Sequence, residues 1–224
     1  MSKEINKEKE NAEAIVEAVS KTDLFFQKNK KLIIGIIVAL VVVGAIFFCW
    51  HRFAYVPAVE EARQQMFPAE NVFRAEQYEL ALNGDENIMG FSQIIDQYGK
   101  KAGKAVYFYA GICAYNLADY DAAISYLRSY KSGDDILAPR AIACLGDCYV
   151  AKEDYATAVG YFEKAAKASD NIYAAKYLLK AGITCEALNQ TDKALAFYNQ
   201  IKTNYPDSVE GMEVDKYISR IEIK

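Results

Sequence analysis

Residues 105–127 read AVYFYAGICAYNLADYDAAISYL, and the same pattern returns as RAIACLGDCYVAKEDYATAVGYF at 140–162 and KYLLKAGITCEALNQTDKALAFY at 176–198. In register, each stretch carries a glycine, and these glycines lie 35 and 36 residues apart at Gly111, Gly146 and Gly182. An alanine follows each glycine after twelve residues, and a large side chain follows the alanine after four. These positions are Ala123, Ala158 and Ala194, then Leu127, Phe162 and Tyr198. A period of this length is the sequence signature of a repeat architecture.

The repeated small residues predict pairs of antiparallel helices that approach each other closely. We expect the large residues to fill the space between one pair and the next. Because a single pair cannot bury its apolar face alone, the pairs should stack. The pattern resembles the tetratricopeptide repeat, a helix–turn–helix unit of about 34 residues. The predicted repeats cover residues 104–138, 139–174 and 175–208.

Residues 58–99 resemble a degenerate unit ahead of the three clear repeats. Their apolar residues predict one long helix from Met66 to Leu82, which Pro68 kinks or starts. A turn at residues 83–85 and a second helix from Phe91 to Tyr98 complete this unit.

The chain after the third repeat predicts a terminal cap for the solenoid. Asp207-Ser208-Val209-Glu210 offers a capping box that starts a last helix. No alternating strand pattern competes with the helical one, so the predicted fold class is all-α.

Residues 32–50, LIIGIIVALVVVGAIFFCW, form an apolar run of 19 residues without a charge. As a helix this run is roughly 28 Å long, close to the ~30 Å hydrocarbon core of a bilayer. It begins too late and runs too long for a secretory signal, and no small-x-small cleavage site follows it. Phe47 and Phe48 also exclude a lipid-attachment site at Cys49. We predict an uncleaved transmembrane anchor and a linker at residues 51–57, where Val56-Pro57 disfavours an unchanged helix.

The charges beside this span predict its orientation. The lysines Lys21, Lys28, Lys30 and Lys31 precede the span, whereas Arg52 and Arg63 follow it. The positive-inside rule then predicts a cytoplasmic tail at residues 1–31 and an exported domain at residues 58–224. Aromatic residues suited to the two interfaces are Phe25 and Phe26, then Trp50, Phe53 and Tyr55. The tail itself has two interpretations, a solvated segment or an amphipathic docking helix.

The sequence lacks the residues and motifs of common catalytic sites. His51 is the only histidine and lies at the membrane edge, which removes His-based triads and His-rich metal sites. Neither a GxxxxGK[ST] nor a GxGxxG motif occurs. Residues 53–224 carry a net charge of −6, which argues against nucleic acid as the main partner. We expect no catalytic residue, metal site, cofactor or small-molecule substrate.

Four cysteines, Cys113, Cys144, Cys148 and Cys185, lie on the predicted first helices of repeats. They pack as small buried residues, or a pair forms a disulfide in an oxidising compartment. Cys113 and Cys148 hold equivalent positions on neighbouring helices, so geometry decides between these alternatives. A four-cysteine zinc site would require three separate helices to converge.

The resemblance to tetratricopeptide arrays implies a partner-binding groove on the first helices. The positions carried over are Phe108, Ile112, Tyr115 and Asn116, then Arg140, Asp147 and Val150, and finally Lys176, Leu179, Ile183 and Glu186. An alternative is that the long N-terminal helix closes this groove. We expect the groove to lack a basic cluster, which argues against a Lys/Arg clamp on a peptide carboxylate.

The anchor, the exported repeats and the stretch GFSQIIDQYGKKAGKAVYFYAGICAYNLADYDAAISYL at residues 90–127 resemble the YfgM-like ancillary subunits of the Sec translocon. This resemblance implies a bacterial inner-membrane protein with a periplasmic domain. It also implies contacts with translocon subunits, periplasmic chaperones or exported clients. Two other hypotheses are an envelope-assembly or cell-division scaffold and an anchored enzyme.

Overall fold

The computed structural model describes residues 28–169 and 171–223, so predictions for the first 27 residues lie outside this part of the chain. The described residues are predominantly helical and include no strand; a β-bridge joins Gly84 to Met89. This confirms the all-α prediction. The chain divides into two compact units, Met1–Pro57 and Ala58–Lys224.

The first unit contains the apolar helix α1, which occupies residues 28–50 of the described chain. It belongs to the helical stretch Lys28–Arg74, the one helix among the described residues that is long and apolar enough to cross a membrane. Large apolar side chains such as Leu40 and Phe48 are exposed on it. A helix that is apolar all round and uncovered by protein has the character of a membrane span.

Residues 51–57, predicted as a linker, are helical. His51–Tyr55 form one π-helical turn, in which the backbone N–H of Val56 donates to the carbonyl of His51, and α2 follows as Val56–Arg74. A proline cannot donate a backbone hydrogen bond, and its ring clashes with the carbonyl four residues earlier. The wider π turn directly before Pro57 accommodates both effects, so this proline changes the helix without ending it.

The second unit opens with α2, α3 (Tyr78–Asn83), α4 (Phe91–Tyr98) and a 3₁₀ turn, Gly99–Ala102. The single long helix predicted through this region is wrong, because the chain turns at residues 75–77 with Glu76 at φ 57°. Pro68 lies inside α2 and does not start it. The turn predicted at residues 83–85 is confirmed, with Gly84 at φ 71°.

Three helix pairs and a terminal helix follow. The pairs are α5 (Ala105–Asn116) with α6 (Tyr120–Ser129), α7 (Leu137–Ala151) with α8 (Tyr155–Ala168), and α9 (Tyr173–Ala187) with α10 (Thr191–Asn204); α11 is Val209–Glu222. Each pair turns at an equivalent residue with positive φ: Ala118 at 62°, Glu153 at 61° and Asn189 at 59°. These turn residues are 35 and 36 positions apart, the same spacing as the repeated glycines.

The repeated glycines lie where the two helices of a pair come closest. A Cβ added to Gly146 would stand 2.6 Å from Cε1 of Phe162. The equivalent distances are 2.6 Å from Gly111 to Leu127 and 2.3 Å from Gly182 to Tyr198. The predicted close approach is therefore confirmed. The prediction that the large residues sit between neighbouring pairs is corrected, because each lies over the glycine of its own pair.

The last helix begins with a single N-cap hydrogen bond in place of the predicted capping box. Ser208 is its N-cap, and its Oγ accepts a hydrogen bond of 2.9 Å from the backbone N–H of Gly211. A reciprocal capping box needs a side chain at this third helical position. Glycine has none, so the predicted box is an ordinary serine cap.

The four cysteines of α5, α7 and α9 are buried and free. This supports the packing interpretation over the disulfide. Burial raises the pKa of Cys113 to about 12, so this thiol stays protonated near neutral pH.

Candidate partner-binding groove

A cavity of about 690 Å³ runs across the first helices of the three pairs. Its walls come from α5, α7 and α9, with the end of α2 and the start of α3, and from none of α6, α8 and α10. We call this cavity the groove. It is lined by Phe73, Arg74, Glu76, Tyr78, Ile112, Tyr115, Asn116, Ile136, Arg140, Ala143, Cys144, Asp147, Tyr173, Lys176, Tyr177 and Lys180. Its volume lies in the range of binding pockets.

The structure brings together six of the eleven residues that the sequence proposed for partner binding. The six that line the groove are Ile112, Tyr115, Asn116, Arg140, Asp147 and Lys176. Their role in binding a partner stays a prediction. What the structure adds is that they share one concave surface.

The other five proposed residues do not line the groove. Phe108 is buried with 4% exposure and packs its ring 5.5 Å from that of Tyr130. Val150 and Leu179 are half-buried against the second hydrophobic cluster, and Ile183 is exposed elsewhere.

Glu186, the fifth, ties the terminal helix to the last pair. Its Oε1 accepts hydrogen bonds of 2.6 Å from both the Tyr198 hydroxyl and Arg220 Nη2. Because these two donors lie on α10 and α11, the carboxylate of Glu186 serves the packing of three helices.

Several groove residues were missed by the sequence analysis. Tyr173 and Lys180 lie three and four residues from Lys176 on α9, so helical spacing alone could have found them. Phe73, Arg74, Glu76 and Tyr78 belong to the non-repeating segment. The alternative of a groove closed by the N-terminal helix named this segment but none of these four residues.

The N-terminal segment forms one end of the groove and leaves part of it accessible. The end of α2 and the following turn supply Phe73 and Arg74 to the wall. Arg140, Tyr173 and Lys176 nevertheless remain exposed to solvent. The long helix therefore bounds the groove, and these exposed side chains remain available to a partner.

The groove carries a basic cluster, contrary to expectation. Four basic residues, Arg74, Arg140, Lys176 and Lys180, line it against two acidic ones, Glu76 and Asp147. The cluster was not predicted because Arg74 lies outside the repeats and Lys180 lies one helical turn after Lys176, the proposed groove position on α9.

Among residues 28–169 and 171–223, ion pairs engage two of these cations and leave the other two without a carboxylate partner. Lys180 Nζ donates to both oxygens of Asp147, at 2.6 and 2.7 Å. Arg74 lies 3.7 Å from the Glu70 carboxylate. No ion pair is found for Arg140 or Lys176 within the described part of the chain.

Neutral aromatic side chains flank the cations. The Arg140 guanidinium lies 5.8 Å from the centre of the Phe108 ring, a distance typical of a cation–π contact. Burial raises the pKa of the Tyr115 and Tyr177 phenols, so both remain neutral hydrogen-bonding groups. A hydrogen bond to Cys148, together with burial, raises the pKa of the Cys144 thiol in the groove wall.

The groove presents cations beside apolar and phenolic surface, and nothing among the described residues points to an enzymatic activity. Within residues 28–169 and 171–223, no group of three or more His, Cys, Asp or Glu side chains is placed to hold a metal ion. Of the two acidic side chains in the groove, Glu76 and Asp147, the latter is paired with Lys180. Cations beside apolar and phenolic surface suit recognition of a polypeptide segment.

Comparison with known proteins finds tetratricopeptide repeats in this chain. Family models described as tetratricopeptide repeat match residues 105–132 and residues 145–209. The first match covers α5 and α6, and the second extends from α7 to the start of α11. No curated protein matches the chain. The predicted repeats are thus confirmed at two independent places.

Proposed function

We propose that this chain is a non-enzymatic, membrane-anchored scaffold that binds other proteins through the groove. The observation that carries this proposal is a tetratricopeptide-repeat groove in a chain that also holds an apolar helix long enough to cross a membrane. Solenoid repeats create extended concave surfaces, and proteins with tetratricopeptide repeats are generally scaffolds without catalysis.

The proposed location is the bacterial inner membrane, with the tail at residues 1–31 in the cytoplasm and residues 58–224 in the periplasm. Residues 32–50 are the proposed span and residues 51–57 its junction. The excess of lysine before the span, including Lys28, Lys30 and Lys31, supports this orientation.

The finer proposal is an ancillary subunit of the Sec translocon. Its partners would be translocon subunits, periplasmic chaperones or exported clients. The support is the resemblance of residues 90–127, together with the order of anchor and repeats. An envelope-assembly or cell-division scaffold would use the same architecture. The two roles are therefore distinguished by which proteins lie next to this chain in the membrane.

Crosslinking in intact membranes, followed by mass-spectrometric identification of neighbours, tests this proposal. Translocon subunits among the crosslinked proteins are the expected result. Replacing residues 32–50 by an unrelated apolar helix is the matched control, and it should weaken those crosslinks while leaving the repeat domain folded. Neighbours drawn from division or outer-membrane assembly would contradict the translocon role, and the absence of any protein neighbour would contradict the scaffold itself.

A further inference from the structure

We propose that the groove binds an extended acidic segment of its partner protein, with side-chain carboxylates of that segment at Arg140 and Lys176. This inference rests on the proposed scaffold function and names the chemistry of its partner. It follows from the charges that the fold leaves unpaired inside a recessed, partly apolar surface.

The two unpaired cations hold equivalent positions in successive repeats. Arg140 and Lys176 begin the second and third aligned stretches, 36 residues apart. They belong to α7 and α9, which are close enough for Asp147 on α7 to contact Lys180 on α9 at 2.6 Å. Packed helices lie on the order of 10 Å apart, so two ligand carboxylates should be spaced similarly.

An extended peptide matches this spacing with acidic residues three positions apart. Each residue of an extended chain advances about 3.3 Å, so three residues span roughly 10 Å. Charge-assisted hydrogen bonds from Arg and Lys to carboxylate are stronger than neutral ones. The Arg140 guanidinium is well suited to this role, because it is held over the Phe108 ring and forms no ion pair with any carboxylate of the described residues.

The surface between the cations suits the side chains that separate such carboxylates. Ile112, Tyr115 and Tyr177 present apolar and phenolic surface in the groove wall. Ile136 and Tyr173 add exposed apolar area, at 58% and 51% exposure. This mixture favours a polypeptide over an isolated anionic headgroup, because a headgroup would leave the aromatic surface unused.

The groove is basic although the domain as a whole carries a negative net charge. Residues 53–224 carry −6, yet the groove holds four basic residues against two acidic ones. An acidic partner is repelled by most of the domain and attracted by this cavity. Local charge complementarity of this kind gives specificity as well as attraction.

Fluorescence anisotropy with the full chain in nanodiscs of zwitterionic lipid tests the inference. The probe is a short fluorescein-labelled peptide, blocked at both ends, with two glutamates three residues apart and leucine and tyrosine between them. Its twin carries glutamine in place of each glutamate. We expect the twin to bind at least about tenfold more weakly, the loss expected when charged hydrogen bonds are replaced.

Matched variants of the chain locate the site. Arg140→Gln with Lys176→Gln should weaken the acidic peptide at least about tenfold and leave the glutamine twin unchanged. Lys164→Gln with Lys167→Gln removes two exposed charges from α8, outside the groove, and should change neither affinity. Lys176→Gln alone, at an exposed position, provides a weaker version of the same test should the double variant not fold.

Three outcomes would overturn the inference: equal affinities for the acidic peptide and its twin, equal losses in the groove and α8 variants, or binding of anionic-lipid vesicles in place of the peptide. Protein crosslinks that persist in the Arg140/Lys176 variant would leave the scaffold function intact while removing the acidic ligand. The two proposals therefore fail separately.

Discussion

The glycine at the centre of each helix pair leaves no room for a methyl group unless its neighbours move, and the second pair allows a direct test. In Gly146→Ala the new Cβ would stand 2.6 Å from Cε1 and 2.8 Å from Cδ1 of Phe162. Carbon atoms pack at about 3.5–4.0 Å, so roughly 1 Å of overlap must be relieved. The Phe162 ring is only 1% exposed, so any movement that relieves the overlap takes place inside the packed core. Such overpacking costs about 1–3 kcal/mol.

Gly160→Ala is the matched control on the facing helix. Gly160 lies inside α8, is exposed, and an added Cβ would meet no atom within 4 Å. Both substitutions gain about 1 kcal/mol of helix propensity. Gly160→Ala should therefore stabilise the domain by about that amount, whereas Gly146→Ala should be between neutral and about 2 kcal/mol destabilising.

Thermal unfolding of the full chain in detergent, followed by circular dichroism, measures the difference. A domain of this size shifts its Tm by about 2–4 °C per kcal/mol, so the two variants should differ by several degrees with Gly160→Ala the higher. Equal melting temperatures would refute the reasoning, because the glycine would then have no packing role.

Four further results are expected. Gln190 makes no capping bond, whereas Asp154 at the equivalent position accepts one of 3.1 Å from a backbone N–H, so Gln190→Asp should raise the free energy of unfolding by about 1 kcal/mol. A urea titration measures this, and Gln190→Ala is the neutral control. Glu153→Gly should stabilise by about 1 kcal/mol because it relieves a positive φ; an unchanged or lower urea midpoint would contradict the strain. Burial raises the pKa of the Cys113 thiol from its ordinary 9.0 to about 12, so above pH 9 the unfolded chain binds fewer protons and the free energy of unfolding should fall as the pH rises to about 12. Cys113→Ala should make the fall less steep, and an identical pH dependence would contradict the assigned burial. Protease added outside spheroplasts should digest the chain beyond Phe53 and spare the tail; the reverse pattern would invert the proposed orientation.

Much of the repeat architecture could be predicted because the same residue types recur in the sequence every 35 or 36 positions. A glycine and a large side chain, Gly146 and Phe162 in the second unit, recur with nearly fixed spacing, and the contact between them is local to one helix pair. The apolar run at residues 32–50 was equally easy to identify, since the thickness of the hydrocarbon core sets the length of a membrane-spanning helix.

The remaining features depend on contacts that no period encodes. Glu76 ends α2 by adopting a left-handed conformation, although its neighbours have helical patterning. Arg74 reaches the groove only because of this break and the packing of the non-repeating segment. Glu186, by contrast, occupies a repeat position that was proposed for the groove, but its carboxylate accepts a hydrogen bond from Arg220 of the terminal helix. A cavity does lie on the first helices, where the sequence placed the groove, but its charge and one of its walls required the tertiary structure.

The proposed function requires that proteins bind this chain through the groove. Site-specific photo-crosslinking in intact membranes tests it most directly, with the reactive side chain placed at Tyr115 in the groove or at Lys164 on α8 outside it. Both positions lie on the same domain, so they differ in surface and not in location. Protein adducts from Tyr115 and none from Lys164 are the predicted result. Adducts from Lys164 with none from Tyr115 would contradict the account and move binding to the surface of the second helices.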